Sequence, residues 1–281
     1  MQIGPYTVES IIEGRFGLDG GAMFGIVPSP LWRRTNPADQ RNRIELAARV
    51  LLLRGNGRTI LVETGLGDKF DDKRADIFAV RHPDGSLLQQ LEQRGVAPAD
   101  VTDVVLTHLH FDHCGGTTRR LAGELELVFP AADHHVQRRQ WEWAHAPTDK
   151  DAGSFRAEDF ALLADASLHL IDGDSELFAG ITVHPVDGHT AAMQLVSIAG
   201  GTDRLLLCAD LVPTRSHLRW PYIMAYDNQP LITLREKQHW LPQAATRHDL
   251  LVFGHDPLVD GAYLVMDEGK AIVQAEVSLG G

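Results

Sequence analysis

The densest chemistry in the chain lies in Thr107-His108-Leu109-His110-Phe111-Asp112-His113-Cys114-Gly115-Gly116. Three histidines and one aspartate fall within six residues, at the end of the apolar run Asp103–Thr107. His108 and His110 are two apart, so at the end of an extended strand both imidazoles point to one side. Asp112 and His113 follow as the chain turns, and the glycine pair permits a tight turn. Imidazole and carboxylate are the usual ligands of zinc and other borderline divalent ions. A lone histidine there would read as an ordinary loop residue, but four ligand-type residues between a buried strand and Gly-Gly read as a metal site. Three further candidates sit in matching contexts. His189 follows the run ending at Val186, Asp210 follows Leu205–Ala209, and His255 follows Leu250-Leu251-Val252. Convergence of strand ends on one rim would place such a site on rigid supports.

The elements that must position these residues are legible in the hydrophobic pattern. Ile44 to Leu53 reads as a strand, Arg54 to Arg58 as an Asn-Gly turn and Thr59 to Glu63 as its partner strand. Ser86 to Arg94 reads as a short amphipathic helix stopped by Gly95. Asp103 to Thr107 reads as a buried strand, and Ala132 to Trp143 and Ala157 to Leu163 as helices. Strands follow at Leu168–Ile171, Ile181–Val186, Met193–Ile198 and Leu205–Cys208, then a helix at Leu231–Leu241 and a last strand at Leu250–Phe253. Strands clustered in each half with helices between them predict a layered α/β fold with mixed sheets.

Composition removes several function classes. The chain has 281 residues, 44% hydrophobic and 23% charged, ample for a real core. Its 26 Lys+Arg against 38 Asp+Glu give a net charge of -12, which disfavours a phosphate-neutralising surface and hence nucleic acid. Two cysteines, Cys114 and Cys208, make no disulfide framework and read as packing residues. No apolar run reaches the ~18 residues of a membrane span. The start Met1-Gln2-Ile3-Gly4-Pro5 has no basic stretch leading into an apolar one. The expectation is a soluble cytoplasmic protein.

The order H-x-H-x-D-H, then G-H, A-D and G-H resembles the metallo-β-lactamase superfamily. Glu63-Thr64-Gly65 looks like a variant of that family's Asp-Thr-Gly. The resemblance implies a single domain over residues 1–281, built as a four-layer αββα sandwich. It also implies two divalent metal ions. One would take His108, His110 and His189, the other Asp112, His113 and His255, with Asp210 bridging. Seven N/O ligands are too many for one tetrahedral ion but suit two ions sharing a carboxylate. Two such ions supply hydroxide near neutral pH, so metal-assisted hydrolysis is the expected reaction. Zinc is the default ion, and iron, manganese, cobalt or nickel tolerate the same ligands.

More local phrases narrow the branch. Asp19 to Gly25 with Val27-Pro28 and Leu31-Trp32, and Ala209 to Thr214 with Met224 to Asp227, resemble YtnP-like quorum-quenching lactonases and, more distantly, methyl parathion hydrolase. The implied activity is opening of N-acyl homoserine or related lactones. Organophosphate or aryl-ester hydrolysis by the same site is the alternative, and glyoxalase II-like thioester hydrolysis a second. A small-molecule ester or lactone is the implied partner, together with a second copy in a homodimer. The apolar segment within residues 1–40, with Met23 and Phe24, would wall the pocket or serve as a dimer arm. In the well-known lactonases a tyrosine stands three residues after the bridging Asp, where this chain has Pro213. The branch that this chain resembles has a histidine further on, and His217 fits that place. The resemblance therefore implies His217 as a pocket donor or proton shuttle, with Tyr222 and Tyr226 as substitutes and Asp112 as a proton shuttle to the leaving group. His134 and His135 are expected on a solvated helix face beside Arg138 and Arg139.

Overall fold

The computed structural model describes residues 1–280. One sheet begins with β1 (Gln2–Ile3), β2 (Tyr6–Asp19), β3 (Arg43–Gly55), β4 (Arg58–Val62) and β5 (Asp103–Val105). After a hairpin of β6 (Thr118–Leu121) and β7 (Glu124–Leu127), the strands β8 (Asp133–Gln137) and β9 (Leu168–Ile171) complete it in the order β1-β2-β3-β4-β5-β8-β9. The second sheet runs in chain order through β10 (Ser175–Phe178), β11 (Ile181–Val186), β12 (Met193–Gly200), β13 (Asp203–Leu207), β14 (Leu250–Val252), β15 (Gly261–Asp267) and β16 (Lys270–Val277). Pairing is parallel from β4 through β5 and β8 to β9, and between β13 and β14.

Side-chain parity makes the layers. On β3, Leu51 and Leu53 join Ile60, Val62, Val105, Val196, Leu205, Leu207, Leu250 and Val252 in one core between the sheets. The alternate residues Val50 and Leu52 face outward with Leu61, under Leu87, Leu91 and the partly buried Trp141. On the second sheet Leu206 and Leu251 face outward and pack with Leu241 and Ala244 of the helix Pro230–Arg247. A strand covered on both faces needs continuous rather than alternating apolar sequence, which is why Val50 to Leu53 carries no polar residue. The result is helices, sheet, sheet, helices: the αββα sandwich expected from the resemblance. No helix among the described residues is long and apolar enough to cross a membrane.

The largest departures from the pattern reading have local causes. Ala132–Trp143 is not one helix: it is β8 followed by the helix Arg138–His145. β8 is paired on both edges, so ladder formation overrides the helical spacing. His134 is consequently buried rather than on a solvated face, and neither of its ring nitrogens has a hydrogen-bond partner. His135 is buried against the Asp103 carboxylate, 3.0 Å from its Nε2. The helix starting at Pro230 continues through Pro242 to Arg247, because Leu241 and Ala244 bury against the sheet on either side of the proline. The fourteen-residue strand β2 and the pair β15–β16 lie outside the expected elements.

Burial pushes the His134 imidazole down to about 4 from its ordinary 6.5. The unfolded chain then binds this proton at higher pH than the folded chain. Stability is full above pH 6.5 and falls as pH drops toward 4. Replacing His134 by Leu is expected to remove about 2 kcal/mol of the acid-induced loss. Urea unfolding of both proteins at neutral and at mildly acid pH measures it, and parallel losses would rule out neutral burial.

Candidate metal centre

Every candidate ligand sits just beyond the end of a strand. β5 leads through Leu106-Thr107 to His108 and His110, and the short helix Phe111–Cys114 carries Asp112 and His113. His189 lies beyond β11, Asp210 beyond β13 and His255 beyond β14. The turn after the motif is held by Glu63-Thr64-Gly65, whose Thr64 and Gly65 amides donate to the His113 carbonyl at 2.9 and 3.2 Å. A Cβ at Gly116 would fall on the Thr64 backbone, which is why glycine is needed there. Glu63 itself takes a positive φ of 74° and is buried. Its Oε1 accepts from the Thr107 amide at 3.1 Å and faces His113 Nδ1 at 3.6 Å.

The seven residues form two adjoining clusters, His108–His110–His189–Asp210 and Asp112–His113–His255, all buried, with candidate ligand atoms within 4.8 Å of one another in each. In the first, His110 Nδ1 lies 3.1 Å from both His108 Nε2 and His189 Nε2. In the second, His255 Nε2 is 3.0 Å from His113 Nε2 and 3.6 Å from Asp112 Oδ2. Asp210 spans them: Oδ2 is 3.2 Å from His189 Nε2, and Oδ1 is 2.9 Å from His255 Nε2. Three of the outward ring nitrogens have their own partners. His189 Nδ1 donates to Asp227 Oδ1 at 2.8 Å, His255 Nδ1 to the Ala47 carbonyl at 2.8 Å, and His108 Nδ1 pairs with Thr107 Oγ1 at 3.0 Å. Fixing the outer proton in this way turns the other nitrogen's lone pair inward. Asp210 Oδ1 is buried and, although close to His255 and His113, makes no contact of hydrogen-bond geometry. Imidazole nitrogens converging on a buried carboxylate are a donor set that fits divalent cations.

The electrostatics repeat the point. Burial, with His113 and His110 close by, holds His108 well below 6.5, and burial beside His189 does the same to His110. Burial alone would lower His113 as well, but Asp112, Asp210 and Glu63 outweigh it and raise it well above 6.5. For Asp210 burial works upward and is overcome by His255, His113 and His189, leaving it far below the usual carboxylate range.

A cavity of about 300 Å³ opens over the clusters, with His110, Asp112, His189, Asp210 and His255 in its floor. Leu18, Met23, Phe78, Phe111 and Met224 form its apolar wall; Lys150, Ser154 and Tyr226 contribute polar groups. Of the expected pocket residues, Met23 and Tyr226 face this space. Phe24 does not: it is buried between Trp32 and His217, stacked at 5.4 and 4.7 Å. Tyr222 packs edge-on against Phe24 and lines a separate surface cavity. His217 also lies outside the catalytic cavity. It is buried, its Nε2 is bound to the Met23 carbonyl at 2.8 Å and its Nδ1 pairs with Thr214 Oγ1 at 2.8 Å, so neither nitrogen is free for substrate. Burial pushes it down to about 3, and it acts as a neutral peg under the Met23–Phe24 segment. Sequence reasoning missed Asp227, Lys150 and Phe155, whose ring lies 4.6 Å from that of His110. Asp227 had a signal, an acid beside the quoted Met224-Ala225-Tyr226, but nothing in the spacing pairs it with His189. Replacing Asp227 by Ala is expected to weaken zinc binding roughly 10- to 100-fold, read by competition with a chromophoric chelator; unchanged affinity would show that the His189–Asp227 bond tunes nothing.

The comparisons with known proteins agree with this geometry. The family model described as the metallo-beta-lactamase superfamily matches residues 44–255. A probable metallo-hydrolase of Mycobacterium tuberculosis is 30% identical over 246 residues, covering 76% of each chain. The N-acyl homoserine lactonase AttM of Azorhizobium caulinodans is 30% identical over 189 residues, 64% of this chain and 67% of that one. Among solved structures, a probable metal-dependent hydrolase from Staphylococcus aureus superposes with a TM-score of 0.91 at 27% identity, covering 99% of this chain and 98% of that one. AidC, a dizinc quorum-quenching lactonase in complex with a product, shares the fold with a TM-score of 0.81 at 20% identity, covering 99% and 97%. With the family motif matched across most of its length and its ligand-type residues gathered at one rim, this chain belongs to the metallo-β-lactamase superfamily and is a metal-dependent hydrolase.

Proposed function

We propose that the protein opens N-acyl homoserine or related lactones. The carrying observation is the cavity: an apolar wall of Leu18, Met23, Phe78, Phe111 and Met224 beside a floor of His and Asp side chains. That suits a substrate with an aliphatic tail and one hydrolysable carbonyl. The relatives named N-acyl homoserine lactonases support the same reading.

In this reading His108, His110 and His189 would hold one divalent ion and Asp112, His113 and His255 the other, with Asp210, which lies between the two clusters, available to both. When bound, the two ions activate water and polarise the carbonyl under attack, with zinc the default. The chain's residues do the rest. Asp227 and the Ala47 carbonyl keep His189 and His255 in one tautomer. Asp112, at the cavity floor, carries the proton toward the leaving alkoxide. Burial pushes the Tyr226 hydroxyl up to about 12, so it stays protonated at neutral pH and donates to substrate oxygen, the role vacated by His217. The apolar wall excludes water from the tail.

Zinc-loaded protein is expected to hydrolyse a long-chain N-acyl homoserine lactone with kcat/KM above ~10⁴ M⁻¹s⁻¹. Asp210→Ala should reduce that at least about a hundredfold, and Tyr226→Phe by roughly the same factor while leaving zinc content unchanged. A wild-type rate no higher than that of Asp210→Ala would sink the lactonase reading. Turnover of phosphotriesters, aryl esters or glutathione thioesters in the same assay would then assign the substrate class.

A further inference from the structure

His255 is presented by an irregular segment, Phe253 to Asp260, that leaves β14 with no ladder to hold it. Buried carbonyls in such a turn need donors. One side chain, Arg49, supplies two of them, while Arg15 Nη1 donates to the Pro257 carbonyl at 3.3 Å. Arg49 is the only charged residue in the middle of β3, set in Ala47-Ala48-Arg49-Val50-Leu51, and it is buried. Its Nη1 donates to the Phe253 carbonyl, and its Nη2 to the Asp256 carbonyl at 3.1 Å and to Asp260 Oδ1 at 2.8 Å. Nε donates to Ser10 Oγ at 3.0 Å. The backbone of the same strand completes the grip. The Arg49 amide donates to the Gly254 carbonyl and the Ala47 amide to the His255 carbonyl, each at 3.1 Å. The Ala47 carbonyl accepts from His255 Nδ1 at 2.8 Å. The guanidinium therefore grips the chain on both sides of His255, while the backbone two residues earlier fixes the imidazole.

We propose that Arg49 is a positioning residue for the second cluster. By holding the His255 turn it keeps Nε2 3.0 Å from His113 Nε2 and 2.9 Å from Asp210 Oδ1. It thereby sets how tightly Asp112, His113 and His255 hold their ion. The inference rests on the reading of the two clusters as metal sites. A planar fork is needed: a lysine ammonium cannot span two carbonyls and a carboxylate in the same way.

The test is zinc stoichiometry and stepwise affinity of the full-length protein, with cobalt(II) absorption to resolve the two sites. Wild type, Arg49→Met, Arg49→Lys and the core truncation Leu52→Ala on the same strand are compared. Wild type and Leu52→Ala should hold two ions. Both Arg49 variants should bind the second ion roughly 10- to 100-fold more weakly, with the first unchanged within about threefold, and lysine should not rescue. If Arg49→Met fails to fold, Arg49→Lys alone carries the comparison. Two ions at wild-type affinity in the Arg49 variants would overturn the inference, as would equal weakening of both sites. A wild-type protein that holds no ion would overturn it together with the metal reading on which it rests.

Discussion

The structure depends on one carboxylate being held between two sets of imidazoles. Asp210 reaches His189 with one oxygen and His255 and His113 with the other. Its strong downward displacement means that it remains an anion inside a buried site. An unpaired buried anion is costly, and the imidazoles around Asp210 offset that cost. The histidines need the same arrangement in reverse. Crowding and burial keep His108 and His110 neutral, while carboxylates favour the charged form of His113 and His189. A site that drives neighbouring groups of one type in opposite directions is arranged around charge it must balance.

The two sheets supply the ends that meet there. β5, β13 and β14 each end on an apolar residue and release a ligand-type side chain three residues later, His108, Asp210 and His255. The parallel pairings put successive strand ends on the same rim. The long helix Pro230–Arg247 makes the crossover that β13 and β14 require, and its N-terminal side adjoins the Met224–Asn228 segment that carries Tyr226 and Asp227. Fold and site are therefore one construction: the apolar parity that builds the layers also aims the ligands.

That dual role explains what could be read from the sequence. The metal motif was legible because ligand chemistry and spacing are both local: H-x-H-x-D-H needs no knowledge of the rest of the chain. His189, Asp210 and His255 were legible because each follows an apolar run, although their meeting depends on a sheet topology that only the family resemblance implied. The failures are all tertiary. His134 and His135 lie in a strand because neighbours pair with it on both sides. His217 carries the right chemistry for a donor, but its ring stacks on Phe24 and its nitrogens are spent on Met23 and Thr214. Phe24 looked like a pocket wall because it is apolar and close in sequence to Met23, yet it turns into the packing beneath. Arg49 is visible only as an oddity in an apolar strand until the turn it grips is placed beside it.

Part of the cavity's wall comes from different parts of the molecule than its floor. The floor belongs to strand ends, and the wall residues Leu18 on β2 and Phe111 beside Asp112 go with it. Met224 and Tyr226 instead sit on a connecting segment, Met23 lies in the short helix Gly20–Phe24 and Phe78 ends the helix Asp72–Phe78. Substitutions at Met23, Phe78, Met224 and Tyr226 can reshape the space above the ligand-type residues without touching the ladders below. The ligand-bearing strand ends and the wall positions off the ladders are thus separable, so the shape of the cavity can change while its floor stays as it is.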